Sequence, residues 1–266
     1  MHENLEEMIS KNRIKFIHSL TQRKYRKESG LFVAEGHKLV GELLPILECT
    51  YLAATEEWIN ENKAIIKSLM SGGLEVDVLT SEELLRTSLQ KSPQDVLALF
   101  KQPVYHEDAT EIISSKLCLG LDGIQDPGNI GTIVRIADWF GIEDIFCSKD
   151  TVDIFNPKAI QATMGAIARV KVKYIDFNTL LPTISNSTPI YGTFLDGENI
   201  YNEELSNKGL IIMGNEGNGI SETVSHFVNK RLYIPNYPQE RFTTESLNVA
   251  VATAITCAEF RRRLKD

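Results

Sequence analysis

The feature that most constrains the fold is a series of short, almost wholly apolar runs in the second half of the chain, each separated from the next by a helical stretch. "LCLGLDG" begins at Leu117 and is followed by "DIFCS", "VKVKYI", "PIYGTF", "GLIIMG" and "RLYIPN". A strand with one wet face alternates apolar and polar residues. Runs this apolar need cover on both faces, which a parallel sheet with helical crossovers provides. The first part of the chain alternates in the same way, with "LFVAEG", "TYLAAT", "LEVDVLT" and "VLALF" between helical stretches, and reads as an α/β unit of about 100 residues. "KQPVYHEDATEIISS" is polar, lacks clear periodicity and serves as the expected linker. The predicted fold class is α/β, with a small α/β domain over residues 1–105 and a parallel-sheet domain over 116–266.

Composition is that of an ordinary soluble protein. No apolar run approaches the roughly 20 residues of a membrane helix, and the polar, acidic start is unlike a secretory signal. A cytoplasmic protein with no membrane partner is expected. Cys49, Cys118, Cys147 and Cys257 form no CxxC pair, so buried free thiols and no metal site are expected. The formal charge of −8 argues against nucleic acid only if it is evenly spread, and it is not. Lys11 to Lys38 holds eight Lys or Arg against two Glu, leaving twenty basic and thirty-four acidic residues elsewhere. Such a cationic island suits phosphate neutralisation. Arg13, Lys15, Arg23, Lys24 and Arg26 are its candidate RNA contacts, with Phe16 and Tyr25 as aromatic platforms; a solvated charged face is the alternative.

In open parallel sheets ligands bind beyond the carboxyl ends of the strands, and three loops there stand out. "DPGNIGTIVRIADWFG" makes a turn at Pro127 and Gly128, and Asn129 is placed to cap the helix. An apolar stripe of Ile130, Ile133, Val134, Ala137 and Phe140 follows, with Gly131, Arg135 and Asp138 on the side this stripe avoids. The alternative role for Arg135 is a surface pair with Asp138, worth under about 1 kcal/mol. "GNEGNG" surrounds Glu216 with Gly214, Gly217 and Gly219, so a ligand can approach the main chain. It is neither GxGxxG nor a triphosphate loop, and its carboxylate favours a cationic or neutral ligand. "IPNYPQERFTTESLN" feeds the last helix, with Thr243, Thr244 and Ser246 as possible caps. In that helix Leu247, Ala250, Val251, Ala254, Ile255 and Ala258 keep helical spacing, and the Arg261–Arg263 cluster suits the negative end of its dipole.

Together "DPGNIGTIVR", "IIMGNEGNGIS" and "YIP…ESLNVAVATAI" resemble the three ordered motifs of the SpoU, or TrmH, family of RNA ribose methyltransferases in the SPOUT superfamily. The basic front segment resembles the small substrate-binding domain that many members carry. The resemblance implies a SPOUT domain with a C-terminal trefoil knot, a homodimer, and S-adenosylmethionine bound bent, mainly through main-chain groups. Gly214, Ile234 and Leu247 would hold its adenine end, with Thr193 and Gly217 nearby. Asn129, Arg135, Glu216, Ser246 and Asn248 match the catalytic positions. The implied reaction moves a methyl from sulfonium to a ribose 2′-hydroxyl. Ribosomal RNA is the expected substrate, with transfer RNA the alternative.

Two departures from the family pattern concern substrate choice. The Ile234–Leu247 loop is longer than usual and lacks the customary glycine after Ile-Pro; its Arg241 and Phe242 either pack or shape the path of RNA. Gln161 stands where relatives often carry arginine. Two other functional classes fit the sequence less well. A nucleotide-dependent oxidoreductase requires a fingerprint at the first strand that is absent. A noncatalytic RNA-binding protein would have eroded motif residues, which are intact here.

Overall fold

The computed structural model describes residues 9–238 and 246–263. The chain divides into two compact units. One runs up to Val104 and adds Phe155–Ala168; the other comprises Tyr105–Ile154 and the chain from Arg169 onward. The segment 155–168, expected in the second domain, therefore groups with the first, because its Pro157–Thr163 helix packs on strand β1 (Leu31–Glu35).

In the first unit β1 is joined by β2 (Cys49–Ala54), β3 (Glu75–Val78) and β4 (Val96–Lys101), in the order β1-β4-β2-β3. β4 is antiparallel to both neighbours, and β2 and β3 are parallel. One face of this sheet gathers Val33, Tyr51, Leu97 and Leu99 against Ile17 and Leu20 from the first helix and the turn after it. That helix, Lys11–Ser19, starts where the Ser10 side chain accepts the Arg13 N–H.

The basic island is only partly available to a ligand. Arg26 is 2% exposed and donates to the carbonyls of Leu20 (2.8 Å) and Thr21 (2.9 Å), closing the turn between the first two helices. Arg13 lies 4.4 Å from the Tyr51 ring centroid and pairs with Glu75. The expectation that Arg26 contacts RNA is corrected, because the fold uses its guanidinium internally; Arg13 remains half-buried and shared with Glu75. Lys15, Arg23 and Lys24 are exposed, as is Tyr25, whereas Phe16 is half-buried against the core. Glu35 is also buried, accepting from the Ser88 hydroxyl and from the Leu89 N–H at 2.9 Å. Its burial raises the carboxyl pKa, and the two hydrogen bonds only partly oppose that rise.

The second unit is a six-stranded sheet of β5 (Leu117–Leu121), β6 (Asp144–Cys147), β7 (Lys171–Tyr174), β8 (Ile190–Asn199), β9 (Gly209–Met213) and β10 (Lys230–Tyr233). Its order is β10-β8-β9-β5-β6-β7 and every pairing is parallel, as the apolar runs require. Cys118, Phe146, Leu210 and Ile212 face one core with Ile113 and Phe177. The alternate residues Leu119, Ile145, Ile211 and Met213 are buried as well, so both faces are covered. Cys118, Cys147 and Cys257 are buried free thiols and Cys49 is half-buried. Among the described residues no helix is long and apolar enough to cross a membrane.

The Pro127–Trp139 and Val249–Arg262 helices pack together. In the first, Ile130, Ile133, Val134 and Ala137 are buried as expected, but so is Gly131, which does not open a polar face. In the second, the buried face is Val249, Ala250, Thr253, Thr256, Cys257 and Phe260. The expected stripe lies largely on the other side: Leu247 and Val251 are each 49% exposed. The arginines at the end of this helix act structurally. Arg261 donates to the carbonyls of Phe140 (2.7 Å) and Gly141 (3.0 Å) at the end of the other helix, while Arg262 and Arg263 hold Glu259.

Two outcomes follow. Arg26→Ala orphans two carbonyls and lowers unfolding free energy by about 2 kcal/mol or more, measured by denaturant titration. For Glu35 the folded pKa is raised, so its contribution is intact below the ordinary carboxyl value of about 4 and is lost as pH rises through the shifted one. The melting temperature of Glu35→Gln relative to the unaltered protein therefore improves between pH 4 and neutrality.

Candidate active site

The loops that leave β5 and β9 are tied to each other before any ligand is considered. Asp122, just past β5, accepts the Ser221 N–H at 2.7 Å, and its own N–H donates to Met213 O at 2.9 Å. Gly123 donates to Ser148 Oγ (2.8 Å) and accepts from Asn215 Nδ2 (2.6 Å). Asn215 also organises its own loop. Its main chain exchanges two hydrogen bonds with Gly219 (2.8 and 2.9 Å), and its Oδ1 accepts the Gly217 and Asn218 N–H groups. A Cβ on Gly214 would lie 2.2 Å from Gly219 C and Ile220 N, so only glycine permits this return. The fold leaves Glu216 and Gly217 exposed at its tip.

The third loop enters through Asn248, which is the N-cap of the Val249–Arg262 helix. Its Oδ1 accepts from Ala250 N (2.9 Å) and Val251 N (3.3 Å). The capping role expected of Ser246 thus falls to Asn248. Ser246 lies exposed two residues earlier; Thr243, Thr244, Arg241 and Phe242 lie outside the described residues. With its oxygen committed to the helix, Asn248 presents its amide N–H₂, which donates to Asn129 Oδ1 at 3.1 Å. Asn129 in turn donates through Nδ2 to Glu216 Oε1 at 2.8 Å. Asn129 is free to do so because Asp126, not Asn129, caps its helix, accepting the Asn129 N–H at 2.9 Å. Asn129, Glu216 and Asn248 therefore meet.

Arg135 lies on the Asn129 helix, exposed and without a side-chain partner among the described residues. It does not pair with Asp138. The Asp138 carboxylate is gripped by Arg169, with Nε 3.0 and 3.1 Å and Nη2 2.8 Å from its oxygens. Arg169 has no signature in the motif that carries Asp138, so sequence spacing alone suggested the wrong partner.

The remaining candidates surround the strand ends. Thr193 Oγ1 lies 4.0 Å from Met213 Sδ, and Ile234 is half-buried just after β10. Leu247 is exposed ahead of the cap. Between Gly192 and Glu198, β8 leaves its pairing with β10 and bulges outward. The bulge is held by Arg231, stacked 3.5 Å over the Phe194 ring and paired with Asp196 at 2.6 Å. Asp122, Ser148, Asn215 and Arg231 were not singled out from sequence. Only Asn215, between Gly214 and Glu216, carried a signal, since Asn favours such turns. No cluster of metal-ligating side chains occurs among the described residues. The chemistry on offer is a guanidinium, a hydrogen-bonded carboxylate and exposed main chain at parallel strand ends. Gly214→Ala is expected to destabilise the protein by more than about 2 kcal/mol through backbone displacement, whereas Asn129→Ala costs no more than about 1; chemical denaturation separates the two.

Residues 116–258 match a family model described as the SpoU rRNA methylase family, and residues 11–98 match one described as an MRM3-like substrate binding domain. A 23S rRNA guanosine 2′-O-methyltransferase of Bacillus subtilis is 28% identical over 257 residues, covering 96% of this chain and 98% of that protein. Among solved structures, a Porphyromonas gingivalis chain assigned to the TrmH family of RNA methyltransferases is 40% identical with TM-score 0.83, covering 96% of this chain and 99% of that one. An AdoMet-bound rRNA methyltransferase from Sinorhizobium meliloti is 26% identical with TM-score 0.82, covering 95% of each chain.

Proposed function

Because the chain belongs to the SpoU rRNA methylase family, we propose that it is an S-adenosylmethionine-dependent methyltransferase acting on a ribose 2′-hydroxyl of ribosomal RNA. The observation that carries this reading is the Asn248–Asn129–Glu216 chain of hydrogen bonds, which joins three loops and includes the helix on which Arg135 has no partner among the described residues. The cofactor fits the groups present. The Glu216–Gly219 main chain is exposed, Ile234 and Leu247 offer apolar contact to an adenine, and the Glu216 carboxylate suits a sulfonium.

S-adenosylmethionine supplies an electrophilic methyl group. In-line displacement needs the ribose oxygen aligned with that carbon, and such alignment accounts for much of the rate. A 2′-hydroxyl is a weak nucleophile at neutral pH. Arginine stays protonated, with a pKa above about 12, so Arg135 serves as a cation that stabilises the developing alkoxide and clamps the neighbouring phosphate, while the hydroxyl proton leaves to water. Asn129, Glu216 and Asn248 position the loops that hold ribose and cofactor, and Ser246 stands next to them. Thr193, Gly214, Gly217, Ile234 and Leu247 form the cofactor side, and exposed Lys15, Arg23 and Lys24 engage RNA phosphates.

The same reading includes a homodimer, supported by the apolar side chains left uncovered on the two packed helices: Trp139 at 84% and Val251 at 49%. It also includes a trefoil knot. The chain passes β10 at the sheet edge beside β8 and then returns to lay its last helix on the Pro127–Trp139 helix. The reading also includes a cytoplasmic location, supported by the likeness to the bacterial 23S rRNA enzyme.

Arg135→Ala is expected to keep cofactor affinity by calorimetry while lowering transfer of labelled methyl to ribosomal RNA by two to three orders of magnitude, about what one transition-state donor is worth. Loss of cofactor binding in this variant contradicts the assignment of Arg135. RNA binding without transfer by the unaltered protein contradicts the enzymatic reading itself.

A further inference from the structure

The first unit holds a group of uncharged polar side chains that the methyl transfer does not use. Gln90 Nε2 donates to Gln161 Oε1 at 3.1 Å, and both residues are half-buried. Gln161 arrives on the Pro157–Thr163 helix, which is fixed to β1 by the Phe155 ring, 5.1 Å from that of Phe32. Gln94 lies against Gly36, where an added Cβ would sit 2.6 Å from Gln94 Oε1; the glycine, at φ 102°, makes room for that amide. The loop carrying Gln90 and Gln94 is anchored at both ends. Glu35 holds Ser88 and Leu89, Ser88 Oγ accepts the Gln90 N–H at 2.9 Å, and Asp95 O accepts the Thr55 N–H at 2.9 Å.

We propose that Gln90, Gln94 and Gln161 form a base-reading surface for unpaired RNA, an inference that rests on the RNA substrate argued above. The shared bond leaves Gln90 Oε1 and Gln161 Nε2 uncommitted, and Gln94 has no hydrogen-bond partner among the described residues. Neighbouring acceptor and donor groups match the edges of bases splayed out of a helix, which is how proteins read RNA sequence. A phosphate would select cations instead. Lys38 and Lys91, exposed close by in the chain, supply those at the rim. The Gln90–Gln161 bond holds two of these amides in place before binding, which removes part of the entropy cost that mobile surface glutamines pay.

The test measures binding of the full chain to a 23S rRNA transcript across a salt series, for Gln94→Ala, for the double variant Gln90→Ala/Gln161→Ala, and for Lys91→Ala. Both glutamine variants should bind about tenfold more weakly or worse, with the slope of log affinity against log salt unchanged. Lys91→Ala should flatten that slope by about one. Affinity for S-adenosylmethionine should not move in any of them. Unaltered RNA affinity in both glutamine variants, or a flattened slope in them, overturns the proposal. If the double variant melts early, Gln94→Ala, which has no hydrogen bond to lose, decides. Weakened binding in these variants with no methyl transfer by the unaltered protein supports the surface and removes the enzymatic reading, so the two fail separately.

Discussion

The site depends on the direction of one helix cap. The first amides of the Val249–Arg262 helix need acceptors, and Asn248 Oδ1 supplies one to Ala250 and Val251. That leaves only the N–H₂ end of the Asn248 amide to face Asn129, which must then accept on Oδ1 and donate from Nδ2. Glu216 receives that donor as an acceptor. The polarity of a helix end is thus passed through two amides to a carboxylate in another loop. Reversing either amide would set donor against donor at one of its contacts and acceptor against acceptor at the other. Three residues distant in sequence behave as one element, and their value is the orientation they impose rather than the modest energy of exposed hydrogen bonds.

That relay can form only because the sheet brings its loops together. Parallel strands β9 and β5 are neighbours, so the loops beyond Met213 and Leu121 leave from the same edge of the sheet. Asp122 and Asn215 then cross-link them through main-chain groups. Glu216 is held at the tip of a turn whose start has no room for a side chain at Gly214. The apolar strands contribute to function indirectly, by removing freedom from the segments that follow them.

Much of this was legible in the sequence and some was not, for physical reasons. Strands buried on both faces advertise themselves by composition, and all six apolar runs of the second unit became strands of one parallel sheet. The turns that bring the loops together were legible because glycine and asparagine at strand ends mark tight main-chain returns. Helical periodicity misled in the last helix. Its buried face mixes Thr253 and Thr256 with Cys257 and Phe260, while a more apolar set, including Val251, faces outward. Periodicity shows that a face is apolar but not what covers it. Charge counting misled for Arg26, because a guanidinium that closes a turn looks in sequence like one that binds a phosphate. Grouping of residues 155–168 with the first unit was hidden too, since it rests on packing against β1 across more than a hundred residues of chain.

The same reasoning explains why Arg135 remains available. An arginine three residues from an aspartate on one helix is ordinarily neutralised by it. Here Asp138 is taken by Arg169, whose planar fork engages both carboxylate oxygens, a geometry a neighbour on the same helix rarely matches. The bidentate pair therefore does more than stabilise a surface: it occupies Asp138, the carboxylate three residues along the helix from Arg135. A cation meant for a phosphate or a developing alkoxide must not already be satisfied by its own helix. On a chain with a formal charge of −8, pairing of this kind leaves Arg135 exposed and without a partner among the described residues.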